Sequence, residues 1–123
     1  MRSNVVPVLA FFILAGALAA APDFVGAWIG KTEIPEAGID ELTLVIQKKE
    51  AAYFGAISDT LGYLAPGTEL KEIKVDGDVM AFQFYLVDGS LMSGKLTLKD
   101  ETMTGTWIHP EGNSAEMKFE RKK

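Results

Sequence analysis

From Met80 to Leu86, large apolar side chains fall on every second residue: Met80, Phe82, Phe84 and Leu86 alternate with Ala81, Gln83 and Tyr85. That spacing suits an extended strand with one face on a core, because successive strand side chains point to opposite faces. The same period recurs at Leu42, Leu44 and Ile46 against Thr43 and Gln47, and at Met92, Leu96 and Leu98 against Ser93, Lys95 and Thr97. It returns at Ala115, Met117 and Phe119 against Glu116, Lys118 and Glu120. Weaker runs at Ala27 to Glu33, Ala52 to Ser58, Leu70 to Val75 and Thr102 to Ile108 bring the expected total to about eight strands.

The links between these runs are short and suited to hairpins: Lys48 to Ala51, Asp76-Gly77, Asp88-Gly89, Lys99-Asp100-Glu101 and Pro110 to Asn113. Asp-Gly tolerates the positive φ that a tight primed turn needs. Short links force each strand to pair antiparallel with its sequence neighbour, which predicts an up-and-down meander. The chain has no cysteine, so packing and strand pairing must hold it together, and a sheet closed on itself leaves no unpaired edge. The expectation is an all-β fold of about eight antiparallel strands closed into a small barrel. A β-sandwich is the alternative that the same alternation permits.

Two links exceed a hairpin's need. One runs from Ile34 to Asp40; the other, from Asp59 to Glu69, carries Leu61, Tyr63, Leu64 and Pro66. An apolar loop of that length is either a lid over one barrel mouth or a plug that completes the core.

The first residues read differently. Met1 to Asn4 precede an apolar run from Val5 to Leu18, followed by the small residues Ala19, Ala20 and Ala21. This is the pattern of a secretory signal peptide, with an AxA site at Ala17-Leu18-Ala19. The run is shorter than the roughly 18–20 residues that span a bilayer. Residues 1–19 are therefore expected to be removed, leaving 20–123 as one secreted or periplasmic domain without a membrane span. Loss of Arg2 with the leader takes the net charge from −5 to about −6, and no basic block remains except Arg121, Lys122 and Lys123. Nucleic acid is not an expected partner.

Extending the alternation assigns an inward set: Trp28, Leu44, Ile46, Phe54, Val75, Met80, Phe82, Phe84, Met92, Leu96, Leu98, Met103, Trp107, Met117 and Phe119. It holds no carboxylate and no histidine. Such an interior is either a dry cavity for an apolar ligand or simply a filled core. For the hollow case the expected ligand-binding residues, in the interior and at its portal, are Trp28, Phe54, Tyr63, Phe82, Phe84 and Trp107.

Gly26-Ala27-Trp28 opens the first strand as a GxW, and Gly105-Thr106-Trp107 repeats the pattern near the end. These features resemble the calycin superfamily of lipocalins and avidins. The resemblance implies that Trp28 packs near one barrel end, and that Arg121, at the end of the last strand, closes over it with Gly26 alongside. The chain is shorter than a usual lipocalin, and Ser58-Asp59-Thr60 stands in place of the lipocalin TDY. It also lacks the tryptophans and polar groups of an avidin pocket. Gly26, Trp28 and Gly30, with Leu96, Leu98, Gly105 and Trp107, are also similar to uncharacterised bacterial exported β domains with a GxWxG opening and a GTW near the end.

Catalytic chemistry has little to draw on. The single histidine, His109, precedes Pro110 at a hairpin tip, there is no cysteine nucleophile, and no serine sits in a GxSxG context. Asp76-Gly77-Asp78 reads as a turn, Glu33, Glu36, Asp40 and Glu41 read as a solvated face, and one histidine makes no zinc site. No enzyme, cofactor or metal is expected. The expected function is an exported small barrel that binds an apolar or amphipathic small molecule such as a lipid or fatty acid. The alternative is a non-catalytic interaction or accessory module for an envelope protein, with a filled core and an outward patch at Val79, Tyr85 and Leu91.

Overall fold

The alternation becomes nine strands in the computed structural model, which describes residues 23–123; the signal-peptide reading of residues 1–19 lies outside the described residues. The strands are β1 (Gly26–Ile34), β2 (Gly38–Lys49), β3 (Ala52–Asp59), β4 (Thr68–Glu69), β5 (Lys71–Asp76), β6 (Val79–Tyr85), β7 (Leu91–Lys99), β8 (Thr102–Ile108) and β9 (Ser114–Arg121). They form one antiparallel sheet in the order β4-β3-β2-β1-β9-β8-β7-β6-β5. One continuous sheet in place of two packed layers rules out the sandwich.

The two ends of that order, β4 and β5, are separated by Leu70 alone. Its N–H reaches back to the Gly55 carbonyl at 2.9 Å, while the next residue, Lys71, already pairs with Gln83 of β6. Glu72 takes φ 52°, and the register shifts between Lys71 and Lys74. The chain thus crosses from one sheet edge to the other within a bent strand, and the barrel is nearly closed. Counting β4 and β5 as that one strand gives eight.

Turn chemistry follows the sequence. Gly77 (φ 63°) closes the β5–β6 hairpin and Asp100 (φ 57°) the β7–β8 hairpin. The link from Ile34 to Asp40 differs from expectation: β1 and β2 stay paired out to Ile34 opposite Gly38, so only Pro35 to Ala37 form the turn. Ile39 and Asp40 belong to the strand.

Buried side chains follow the alternation, with Trp28, Leu44, Met80, Leu96, Met103 and Phe119 fully enclosed. Phe54 corrects the expected inward set, because it lies on the outer face and is 51% exposed. Directly opposed residues share a face, and Leu44 and Ile46, which are inside, oppose Ile57 and Gly55. That fixes Ile57 and Gly55 inward and puts Phe54 outside beside its partner Gln47.

Several glycines sit where strands meet closely. A Cβ on Gly30 would run into the Lys118 carbonyl and the Phe119 ring, and one on Gly105 into the Lys95 carbonyl. The second glycine of the GxWxG opening and the glycine of the GTW therefore mark places where neighbouring backbone fills the side-chain space.

One barrel end is sealed. Trp28 donates its indole N–H to the Phe24 carbonyl at 2.9 Å, and the Arg121 guanidinium lies 4.3 Å from the Trp28 ring centroid. The same guanidinium donates to the carbonyls of Val25 and Asp23, both at 2.8 Å, and to the Glu101 carboxylate at 2.6 Å. Gly26, at φ 139°, leaves the room this needs, since a Cβ there would lie 2.8 Å from Arg121 Nη1.

Candidate functional site

The opposite end of the barrel is built differently. Beyond the waist, where Phe82 and Phe84 stack with centroids 5.9 Å apart, the inward positions stop filling the space and leave a cavity of about 290 Å3 that opens to solvent at the barrel mouth. Leu42 from β2, Ile57 from β3, Phe84 from β6, Met92 from β7 and Met117 from β9 make an apolar wall. Trp107 from β8 stands half-buried at the mouth with Tyr63 and Leu64 of the Thr60–Gly67 loop. A larger depression of about 750 Å3 lies between Lys31, Glu33, Thr104 and Lys118. It is an open groove on the outer sheet face with charged walls, so the interior cavity is the better binding site.

Hydrogen bonds hold the rim. Trp107 donates its indole N–H to Thr32 Oγ1 at 2.8 Å, and the Thr32 hydroxyl donates to the Glu116 carbonyl at 2.6 Å. This fixes the indole edge against β1 and β9.

The roof is tied down by two aspartates. Asp40 Oδ1 accepts from the backbone N–H groups of Thr60 and Leu61, both at 3.0 Å, and from the Thr60 hydroxyl at 3.3 Å. Asp59 accepts from the N–H groups of Tyr63 at 2.9 Å and Leu64 at 3.2 Å. Ser58 Oγ holds Gly67 N–H at 2.9 Å, and the Tyr63 carbonyl receives Val87 N–H, also at 2.9 Å. Leu64 turns inward and is 8% exposed. The loop is thus a fitted cover whose polar groups are met by side chains from the strands below it.

Burial pushes the Asp40 carboxyl above its ordinary value of 3.8, and a hydrogen bond with the Asp59 carboxyl adds to the rise; the Leu61 and Thr60 N–H groups oppose it. At the rim, Asp88 is held below its ordinary range by hydrogen bonds from Ser90, chiefly the backbone N–H at 2.9 Å. His109 Nδ1 accepts from Glu111 N–H at 3.1 Å, so a neutral ring carries its proton on Nε2. Among the described residues no three His, Cys, Asp or Glu side chains gather as a metal site would require.

Of the residues expected from sequence, the structure brings Phe84, Trp107 and Tyr63 together around the cavity. Phe82 lies beneath it at the waist, Trp28 is at the sealed end, and Phe54 is outside. Gly26, Trp28 and Arg121 meet at the sealed end. The expectation of an interior free of carboxylate and histidine is overturned: Asp40, Asp59 and His109 all border the cavity. Asp40 shares the parity of Leu42, Leu44 and Ile46, so one more step of the same alternation reaches it. Asp59 shares the parity of Gly55 and Ile57, hidden once Phe54 is taken as the inward residue.

No protein-family model matches this chain, and no curated protein matches it. Among solved structures it is similar to a de novo designed fluorescence-activating β-barrel, at 16% identity and a TM-score of 0.55 over 80% of this chain and 94% of that one. It is also similar to a redesigned β-barrel at 9% identity and TM-score 0.55, covering 80% and 91%. A mutant of the fluorescent protein UnaG aligns at 16% identity and TM-score 0.53, covering 81% and 96%. At these identities the likeness is one of fold: a small β-barrel.

Proposed function

We propose that this chain is an exported, calycin-like barrel that binds an apolar or amphipathic small molecule, without turning it over, in the cavity between Phe84, Trp107 and Tyr63. The observation that carries the reading is the asymmetry of the interior. One end is filled and sealed by Trp28 under Arg121, whereas the other leaves about 290 Å3 empty behind apolar walls. A barrel serving only as a rigid body has no need of that hollow, because apolar walls left facing it forgo the packing that fills the other end. Ligand pockets begin at about 300 Å3, so the ligand is small. Met92 and Met117 in the wall supply adaptable surface. Export rests on the leader pattern at residues 1–19. One of the similar barrels is described as fluorescence-activating, which makes an environment-sensitive dye a suitable displacement probe here.

The test is native mass spectrometry on protein secreted by its own leader, with a solvent extract of the same sample analysed for small apolar compounds. The expected result is a stoichiometric adduct in the wild type that disappears in Phe84→Trp. A bare mass, together with no dye binding and no binding across a panel of small apolar compounds, would overturn the proposal.

A further inference from the structure

We propose that the cavity selects amphiphiles by their polar end, accepting an apolar body that carries an amine and turning away the matching carboxylate. This rests on the binding reading above and narrows it to one ligand class.

The acidic and basic side chains in the cavity lining are Asp40, Asp59, Asp88 and His109, with the Tyr63 phenol beside them and no Lys or Arg. A ligand carboxylate entering there would lose its water and meet no Lys or Arg in exchange, while standing beside three carboxyls and a single histidine. The protein's net charge of −5 adds to the same bias. An ammonium meets the opposite conditions.

The second observation concerns Asp40 itself. It is 2% exposed, and all three of its donors, from Thr60 and Leu61, converge on Oδ1. Among the described residues no N–H donates to Oδ2, and the remaining partner of this carboxyl is that of Asp59, itself an acceptor unless a proton lies between the two. A buried carboxylate oxygen without a donor is costly, and a proton or an incoming donor group relieves it. Asp59 is less buried and directly precedes the loop in sequence. Each of its oxygens takes one loop N–H and keeps a lone pair for a ligand. Apolar residues occupy the wall below and the Tyr63 and Trp107 rings the mouth, so the ligand's body goes down and its amine stays near the aspartates. Aromatic faces beside an ammonium add to its hold.

The experiment uses three probes with one tail: octylamine, 1-octanol and octanoate, each titrated into the whole secreted domain at pH 7 by calorimetry. Octylamine is expected to bind at least tenfold tighter than octanoate, with octanol between them. Asp40→Asn keeps an oxygen for the Thr60 and Leu61 donors, so octanol binding should persist while the amine's advantage over octanol falls severalfold. Equal affinities for amine and carboxylate, or a tighter carboxylate, would overturn the selectivity and leave the cavity reading standing, since octanol still binds. An amine preference that survives in Asp40→Asn, Asp59→Asn and the double variant would also overturn it, by assigning the preference to overall charge. If no probe binds, and Phe84→Trp behaves like the wild type, the cavity reading fails and the selectivity with it.

Discussion

Gly94→Ala adds a single methyl group at the barrel waist, and the structure places that methyl against a ring that cannot retreat. Gly94 sits opposite Phe82 across the β6–β7 ladder. A Cβ there would lie 2.6 Å from the Phe82 Cζ and 2.7 Å from both Cε atoms, about 1 Å inside the optimal carbon–carbon separation. Phe82 is 2% exposed and stacked on Phe84, so it has no solvent to move into. A glycine-to-alanine change at an unstrained backbone position ordinarily stabilises by about 0.4–1 kcal/mol through the unfolded chain. Overpacking a filled core costs about 1–3 kcal/mol. The overlap should prevail, for a net loss of about 1–2 kcal/mol and a fall in Tm on the order of 5–15 °C for a domain of this length. Urea unfolding followed by tryptophan fluorescence measures it. Phe82→Leu removes the ring atoms that clash, so the double variant should be more stable than the sum of the two single losses, by at least about 0.5 kcal/mol. A neutral or stabilising Gly94→Ala, or strictly additive variants, would refute the packing described here.

Three further outcomes are expected. Arg121→Lys keeps a positive charge but cannot lie flat on Trp28 while donating to Asp23, Val25 and Glu101, so it should lose about 1–3 kcal/mol with a red shift in Trp28 emission; stability equal to wild type would remove Arg121 from the seal. Because the Asp40 carboxyl is raised in the fold, the unfolded chain releases that proton first as pH climbs, the folded state binds more protons, and this group's contribution to stability falls as pH rises from 3.8 through the folded value. Stability measured from pH 3 to 8 should therefore decline relative to Asp40→Asn over that window, and a constant difference would contradict the shift. Asp59→Ala leaves the Tyr63 and Leu64 N–H groups without their acceptor, so hydrogen exchange in the Thr60–Gly67 loop should accelerate while the strands stay protected; unchanged loop exchange would show that the aspartate does not hold it.

Much of the architecture could be read from the chain because a strand with one buried face writes its geometry directly into every second residue. Met80, Phe82 and Phe84 are inward, as their spacing says, and Asp76-Gly77 and Asp88-Gly89 turn where their chemistry allows. The failures have physical causes. Phe54 is the largest apolar side chain in its strand, but the register with β2 assigns the inner face to Ile57 and to Gly55, whose missing side chain admits Leu70. Hydrophobicity cannot report a position that is inward because it is empty. The same strand slip hid Asp59, and treating Asp40 as part of a polar loop hid the other half of the pair. The cavity arises where strands, loop and side chains fail to meet, which no local pattern encodes. Nor does any pattern mark Leu70 as the residue at which the sheet's two edges join.

The pairing of β1 with β9 sets this barrel's order of assembly. Every other ladder joins strands that follow one another in sequence, so each can form as a local hairpin. The β1–β9 ladder instead brings together residues no closer in sequence than Thr32 and Glu116, which are separated by 84 positions. Closing a chain of that span costs about 4 kcal/mol beyond a constant term, and no reward comes until the ladder zips. Thr32 and Met117, which help to line the cavity, lie on this ladder, opposite one another. A half-zipped meander has no pocket at all. Any molecule seated in the finished one spans the junction of first and last strands and acts as a clasp, lengthening the life of the closed barrel without hastening its closure.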